Sequence, residues 1–194
     1  MIPKTQFRRL TCLVLLLLCL GAARAQAARD PILLVDQPGN TMPVGAFGPT
    51  FKFKRTSGPE GFGGEMVVWG ARGFGGRLDD PKLGLMAQAG TLTGTGLTLN
   101  LRMGGFTVED HFMKDTRLKW RVGLGGGTFE LKSRISSRVV NEGSFAFAEP
   151  MLVGVIPMTR HIVLEIGAGY TFCGVEGVRL EGLFVQTDLL LGRF

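Results

Sequence analysis

The stretch Ser144–Phe172 reads S-F-A-F-A-E-P-M-L-V-G-V-I, then Pro157-Met158-Thr159-Arg160, then H-I-V-L-E-I-G-A-G-Y-T-F. In its second arm Ile162, Leu164, Ile166, Ala168, Tyr170 and Phe172 fall on one side. His161, Val163, Glu165, Gly167, Gly169 and Thr171 fall on the other. A period of two over a dozen residues marks a long β-strand, because successive side chains point to opposite faces. The Pro-containing link before it reads as a tight turn, so the two arms form a hairpin. One face is apolar throughout and the other is small or polar, the pattern of a strand lying between lipid and a polar barrel interior.

Working outward, the chain reads as further copies of this unit, with strands at about 62–73, 82–93, 96–107, 116–125, 127–135, 144–156, 160–172 and 181–193. Leu97, Leu99, Leu101 and Met103 oppose Thr98, Asn100 and Arg102; Leu118, Trp120, Val122 and Leu124 oppose Arg117, Lys119 and Arg121. Phe129, Leu131 and Ile135 oppose Glu130, Lys132 and Arg134, and Leu183, Val185, Leu189 and Leu191 oppose Gln186 and Asp188. The links between these strands alternate between short (94–95, 126, 157–159) and long (74–81, 108–115, 136–143, 173–180). With the C-terminus in the periplasm, the short turns fall inside and four polar loops outside. The expected fold is all-β: an up-and-down antiparallel β-barrel of about eight strands over residues 62–194. Many of the 30 glycines lie inside apolar alternating segments, where a tightly curved sheet can use them.

Residues 1–27 read as a signal peptide. Lys4, Arg8 and Arg9 precede the apolar run Leu10–Leu20, and Ala25-Gln26-Ala27 supplies small residues for cleavage after Ala27. Losing Lys4, Arg8, Arg9 and Arg24 removes four of the 22 basic residues and none of the 16 acids. The mature chain is then close to neutral, which gives no reason to expect nucleic acid as a partner. Two of the three cysteines leave as well, so Cys173 has no disulfide partner. Residues 28–61, rich in Pro and Gly, read as an irregular N-terminal extension with short possible strands at 32–35 and 51–54. A further strand near Phe47–Arg55 would disturb the even count.

Residues 62–194 resemble the small eight-stranded outer-membrane β-barrels of the opacity and OmpA-like type, through this architecture and the terminal Phe194. The resemblance implies a Gram-negative cell envelope, outer-membrane lipid around the barrel, and Phe194 as a signal to the barrel-assembly machinery. The outward rows would then include Leu99, Leu101, Leu118, Trp120, Val122, Ile162, Leu164, Ile166 and Tyr170. Arg102, Arg117, Lys119, Arg121, Glu130, Lys132, Arg134, Glu165 and Asp188 would form a charge network filling a lumen too narrow to be a channel. A second reading of Arg117, Lys119, Arg121, Lys132 and Arg134 is a basic cluster holding an anion such as a lipid phosphate.

Catalysis finds no support. Ser133, Ser136, Ser137 and Ser144 cluster around one loop, but none stands at a recognisable spacing from His111 or His161. The Gly-Phe-Gly-Gly copies at 61–64 and 73–76 lack the Lys-Ser/Thr of a phosphate loop. No cofactor or metal is expected, since His111 beside Glu109 and Asp110 has no second His nearby. The expectation is a structural or surface-interaction role through the outer loops. The alternative is a soluble periplasmic barrel of lipocalin type with the apolar rows turned inward around an apolar ligand.

Overall fold

The computed structural model describes residues 43–194 except 59–60, 78–79, 95, 113–116 and 175–177. The leader and the start of the N-terminal extension lie outside the described residues. Eight antiparallel strands close into a barrel in sequence order: β1 Pro43–Ser57, β2 Gly63–Arg77, β3 Lys82–Thr93, β4 Leu97–His111, β5 Leu118–Ser133, β6 Val139–Pro157, β7 Ile162–Cys173 and β8 Gly182–Arg193. Both Pro43 and Phe194 lie at one rim, called lower here, with links 78–81, 112–117 and 158–161. The upper rim carries links 58–62, 94–96, 134–138 and 174–181.

The expected number of strands, eight, is present, but one is new and two expected segments are one strand. Residues 43–57 are not irregular: they form β1, which pairs with β2 along its whole length and with β8 to close the barrel. Phe47, Phe51 and Phe53 point out while Thr50, Lys52 and Lys54 point in, a period of two obscured by Pro43 and Pro49. Proline removes a ladder donor. It is accommodated because the β1–β8 register skips Gly48 and Pro49.

The segments 116–125 and 127–135 are one strand, β5, with no turn at 126. Gly125 and Gly127 are not turn residues. A Cβ on Gly125 would run into the Gly104 carbonyl oxygen and stand 2.8 Å from the Phe147 ring, and one on Gly127 would run into the Arg102 carbonyl oxygen and stand 2.6 Å from the Phe145 ring. The glycines leave room for the close backbone of β4 and for two rings that β6 sends into the lumen. Losing that turn and gaining β1 changes the parity of every earlier link. The links at 74–81 and 108–115, expected outside, fall at the lower rim with both ends of the barrel. The short link at 94–96 falls at the upper rim, opposite 158–161.

The interior is layered. At the upper end Phe62, Leu92, Leu97, Leu99, Leu101, Phe129, Leu131, Phe145 and Phe147 form an apolar core, capped by Val178 and Leu180. Below it lies a layer of buried charge, and at the lower end Ala46, Phe74 and Leu190 pack with Phe194. The outer wall is layered too. Phe47, Trp69, Leu85, Phe106, Leu124 and Leu152 are exposed apolar side chains on its lower and middle parts. Higher up, β4 shows Thr98, Asn100 and Arg102 outward, and β5 shows Thr128, Glu130 and Lys132.

The strands that change in this way are long. β4 has 15, β5 16 and β6 19. At their upper ends these strands are polar outside and apolar inside. Side-chain parity is unchanged along β5, with Lys119, Arg121, Phe129 and Leu131 all inward, but the inward row changes from charged to apolar across Gly123–Gly127.

Candidate functional site

The charge layer is built from inward positions of five strands. Arg72 comes from β2, Glu109 from β4, Lys119 and Arg121 from β5, Glu165 from β7 and Asp188 from β8. Arg121 Nε donates to Glu109 Oε2 at 2.7 Å and Nη1 donates to Asp188 Oδ2 at 2.7 Å, while Nη2 pairs with Glu165. Arg72 reaches the same three carboxylates, at 2.7 Å to Glu109, 3.4 Å to Glu165 and 3.3 Å to Asp188. Lys119 Nζ donates to Glu109 Oε1 at 2.7 Å and also pairs with Glu165. Three cations and three carboxylates thus form a neutral layer in which every member has at least two opposite charges as partners.

Desolvating these groups is expensive, and only close pairing offsets it. Forked guanidinium geometry is what allows one side chain to serve three acids. Glu109 and Asp188 sit on β4 and β8, opposite walls of an eight-stranded barrel, and both arginines span the gap between them. Phe74 closes the layer from below, its ring centroid 5.3 Å from the Arg72 guanidinium and 5.2 Å from Lys119 Nζ. To one side Lys52 Nζ donates to Glu149 Oε2 at 2.6 Å and lies 4.9 Å from the Phe184 ring. Thr171 Oγ1 donates to Glu149 Oε1 at 2.8 Å and accepts from Lys54 Nζ at 3.3 Å.

Higher still, Lys54 Nζ donates to the Leu180 carbonyl and Thr56 Oγ1 to that of Arg179 at 2.8 Å. Backbone pairing of Ser57 with Arg179 completes a strap across the upper mouth. Among the described residues, buried side chains occupy the interior in the upper core, the charge layer and the lower cluster, so the arrangement can resist deformation.

Of the nine residues expected in the lumen, Lys119, Arg121, Glu165 and Asp188 are buried in this network. Arg102 points outward and is exposed, and Glu130 and Lys132 pair with each other at 3.0 Å on the outer wall. Arg117 and Arg134 are exposed at the strand ends. The basic cluster proposed from Arg117, Lys119, Arg121, Lys132 and Arg134 is therefore not brought together: two members are inside with acids and three are outside. Of the outward set, Leu118, Trp120, Val122, Ile162, Leu164, Ile166 and Tyr170 do face outward, whereas Leu99 and Leu101 are buried in the upper core. One direction of facing applied to whole strands explains both errors. Phe194 belongs to the inward row of β8, and its ring lies 6.3 Å from that of Phe74.

Sequence reasoning missed Arg72, Glu109, Lys52 and Glu149. Glu109 was placed in a loop, yet it extends the inward row of Leu97, Leu99, Leu101, Met103 and Thr107. Arg72 likewise continues Met66, Val68 and Gly70, and Glu149 continues Phe145 and Phe147. Extending each row by twos past its apolar part would have found all three.

No protein-family model matches the chain, and no curated protein matches it in sequence. Among solved structures, Neisserial surface protein A is similar at 12% identity and a TM-score of 0.50, over 77% of this chain and 93% of that one. Two crystal structures of Ail, the attachment invasion locus protein of Yersinia pestis, are also similar. One, in complex with the heparin analogue sucrose octasulfate, has 11% identity and a TM-score of 0.45. The other has 10% identity and a TM-score of 0.47, and each match covers 77% of this chain and 95% of Ail. With its closed antiparallel eight-strand topology, the chain has the fold of the small eight-stranded outer-membrane β-barrels.

Proposed function

We propose that the protein is a closed barrel of the outer membrane with a structural or surface-interaction role rather than a catalytic one. The observation that carries this reading is the outer wall. Phe47, Phe51, Trp69, Leu85, Phe106, Leu124, Leu152 and Leu183 are exposed around the barrel, while six charges are neutralised inside it. Water on both sides of such a wall would leave this apolar area uncovered, and acyl chains cover it. The soluble lipocalin-like alternative needs the opposite facing, which only the upper parts of β4 and β5 have.

On this reading the leader is cleaved after Ala27, and the barrel-assembly machinery inserts the chain with the help of its terminal aromatic Phe194. The lower rim faces the periplasm. The upper rim, with links 134–138 and 174–181 and the polar wall around Arg102, Glu130 and Lys132, is the surface on which other molecules act. Recovery with the outer-membrane fraction only in detergent, with an unheated gel mobility unlike the heated one, is the expected result. In planar bilayers the purified barrel should give no stable conductance. Release into a detergent-free periplasmic extract would refute the membrane reading, and a steady open channel would refute the closed lumen.

A further inference from the structure

At the upper rim β6 outruns its neighbour on one side. Its ladder with β5 continues up to Lys132 and Val139, whereas its ladder with β7 ends at Phe147 and Cys173. From Val139 to Ala146, one edge of β6 therefore has no strand beside it among the described residues. That length is about 24 Å at ~3.4 Å per residue, more than an average strand.

The pairing decides which backbone groups this edge presents. Val155 N–H donates to the Arg117 carbonyl on the β5 side, and Met158 N–H to the Ile162 carbonyl on the β7 side. The β5–β6 register steps one for one from Gly154 to Asn141, so the alternation is unbroken over that span. Odd-numbered residues turn N–H and C=O toward β5, while Ala146, Ser144 and Glu142, all exposed, turn theirs to the open side. Pro150, which has no N–H to give, fits the same series, since the β6–β7 ladder is interrupted there. A row of unpaired N–H and C=O groups is a template for one more strand.

The side chains say what that strand must carry. Glu142 stands directly opposite Glu130 on the outer wall, and like charges so placed repel. Glu130 is turned to Lys132 at 3.0 Å. Among the described residues Glu142 has no ion-pair partner, and the vacant position across from it lies on the open edge.

We propose that the open edge of β6 takes up, as an added strand, an extended segment of another protein outside the cell, with a lysine or arginine facing Glu142. The inference rests on the surface-interaction reading above and names its site. A second copy in the same membrane does not fit. Antiparallel pairing of two β6 edges needs a two-fold axis normal to the sheet. That axis lies in the membrane plane and would turn one barrel upside down.

The probe is the peptide valine-threonine-valine-lysine-valine-threonine-valine, which reads the same in both directions, with a counterpart carrying glutamate for lysine. Each is titrated against the barrel in dodecylmaltoside micelles, and amide hydrogen exchange is followed by NMR. With the lysine peptide, exchange at Glu142, Ser144 and Ala146 should slow about tenfold or more, while Gly143 and Phe145, bonded to β5, stay unchanged. The glutamate peptide should bind about fivefold more weakly, the upper end for a cross-strand charge pair. Glu142→Lys should reverse that order. Ser144→Pro removes a donor that β5 does not use, so the barrel still closes, as unheated gel mobility will report, and peptide binding should be lost. Slow exchange at these amides without peptide, equal or absent binding of the two peptides, an unreversed order in Glu142→Lys, or peptide-free dimers would overturn the proposal. Recovery from a periplasmic extract without detergent would overturn the membrane reading instead.

Discussion

Replacing Arg121 by Met keeps most of the side-chain volume and removes a guanidinium paired with Glu109, Glu165 and Asp188. Arg72 and Lys119 then face three carboxylates, and among the described residues Asp188 keeps Arg72 as its ion-pair partner, at 3.3 Å. Breaking a buried ion pair by removing one member costs about 3–5 kcal/mol, because a desolvated charge is left uncompensated. We expect a loss in that range. Adding Asp188→Asn restores neutrality, and the amide oxygen can still accept from Gln186 Nε2, now 2.9 Å from Asp188 Oδ1. The double variant should recover about 1–2 kcal/mol relative to Arg121→Met alone. Stability is read in lipid vesicles from urea unfolding followed by the fluorescence of Trp69 and Trp120, both on the outer wall. If Arg121→Met loses less than about 1 kcal/mol, or if the two substitutions simply add, the layer is not the coupled network described.

Two further outcomes follow from the same geometry. Leu99→Arg should abolish folding, since Leu99 is completely buried in the upper core, whereas Arg102→Leu on the outer wall should shift the urea midpoint little; the reverse order of severity would show the facing to be inverted. Lys54→Met combined with Thr56→Val removes both side-chain anchors of the strap at 179–180, and trypsin cleavage after Arg179 should accelerate several-fold as local opening becomes easier, while an unchanged rate would mean the strap is held by its apolar residues alone.

Much of this molecule is legible from alternation alone. β7 and β8 needed nothing more, because their outward rows Ile162–Phe172 and Leu183–Leu191 are apolar but for Tyr170 and Thr187. What alternation does not contain is a sign. Leu99 and Leu118 belong to equally clean two-faced segments, yet one looks in and the other out, because Leu99 lies level with the apolar upper core and Leu118 level with the buried charge below it. β1 was hidden by two prolines whose tolerance depends on a partner strand more than 130 residues away in sequence. The split of β5 came from glycines whose reason lies in the close backbone of β4 on one side and Phe145 and Phe147 of β6 on the other. The charge layer was half readable: Lys119, Arg121, Glu165 and Asp188 sit in obvious rows, while Arg72 and Glu109 lie where an apolar row had already ended. Partners across the lumen carry no local signature, so distance in space decided what spacing in sequence could not.

The interruption of the β1–β8 ladder at Gly48 and Pro49 has a consequence for how the cylinder is made. Every other junction joins consecutive strands and can zip from its own hairpin, but this one must find its register between segments made first and last. The β6–β7 ladder also skips two positions, Glu149 and Pro150, but β1–β8 has the fewest paired residues of any described ladder and is the weakest stave joint in the cask. It is the place where a nascent sheet stays open longest, and where prying the finished one apart takes the least force.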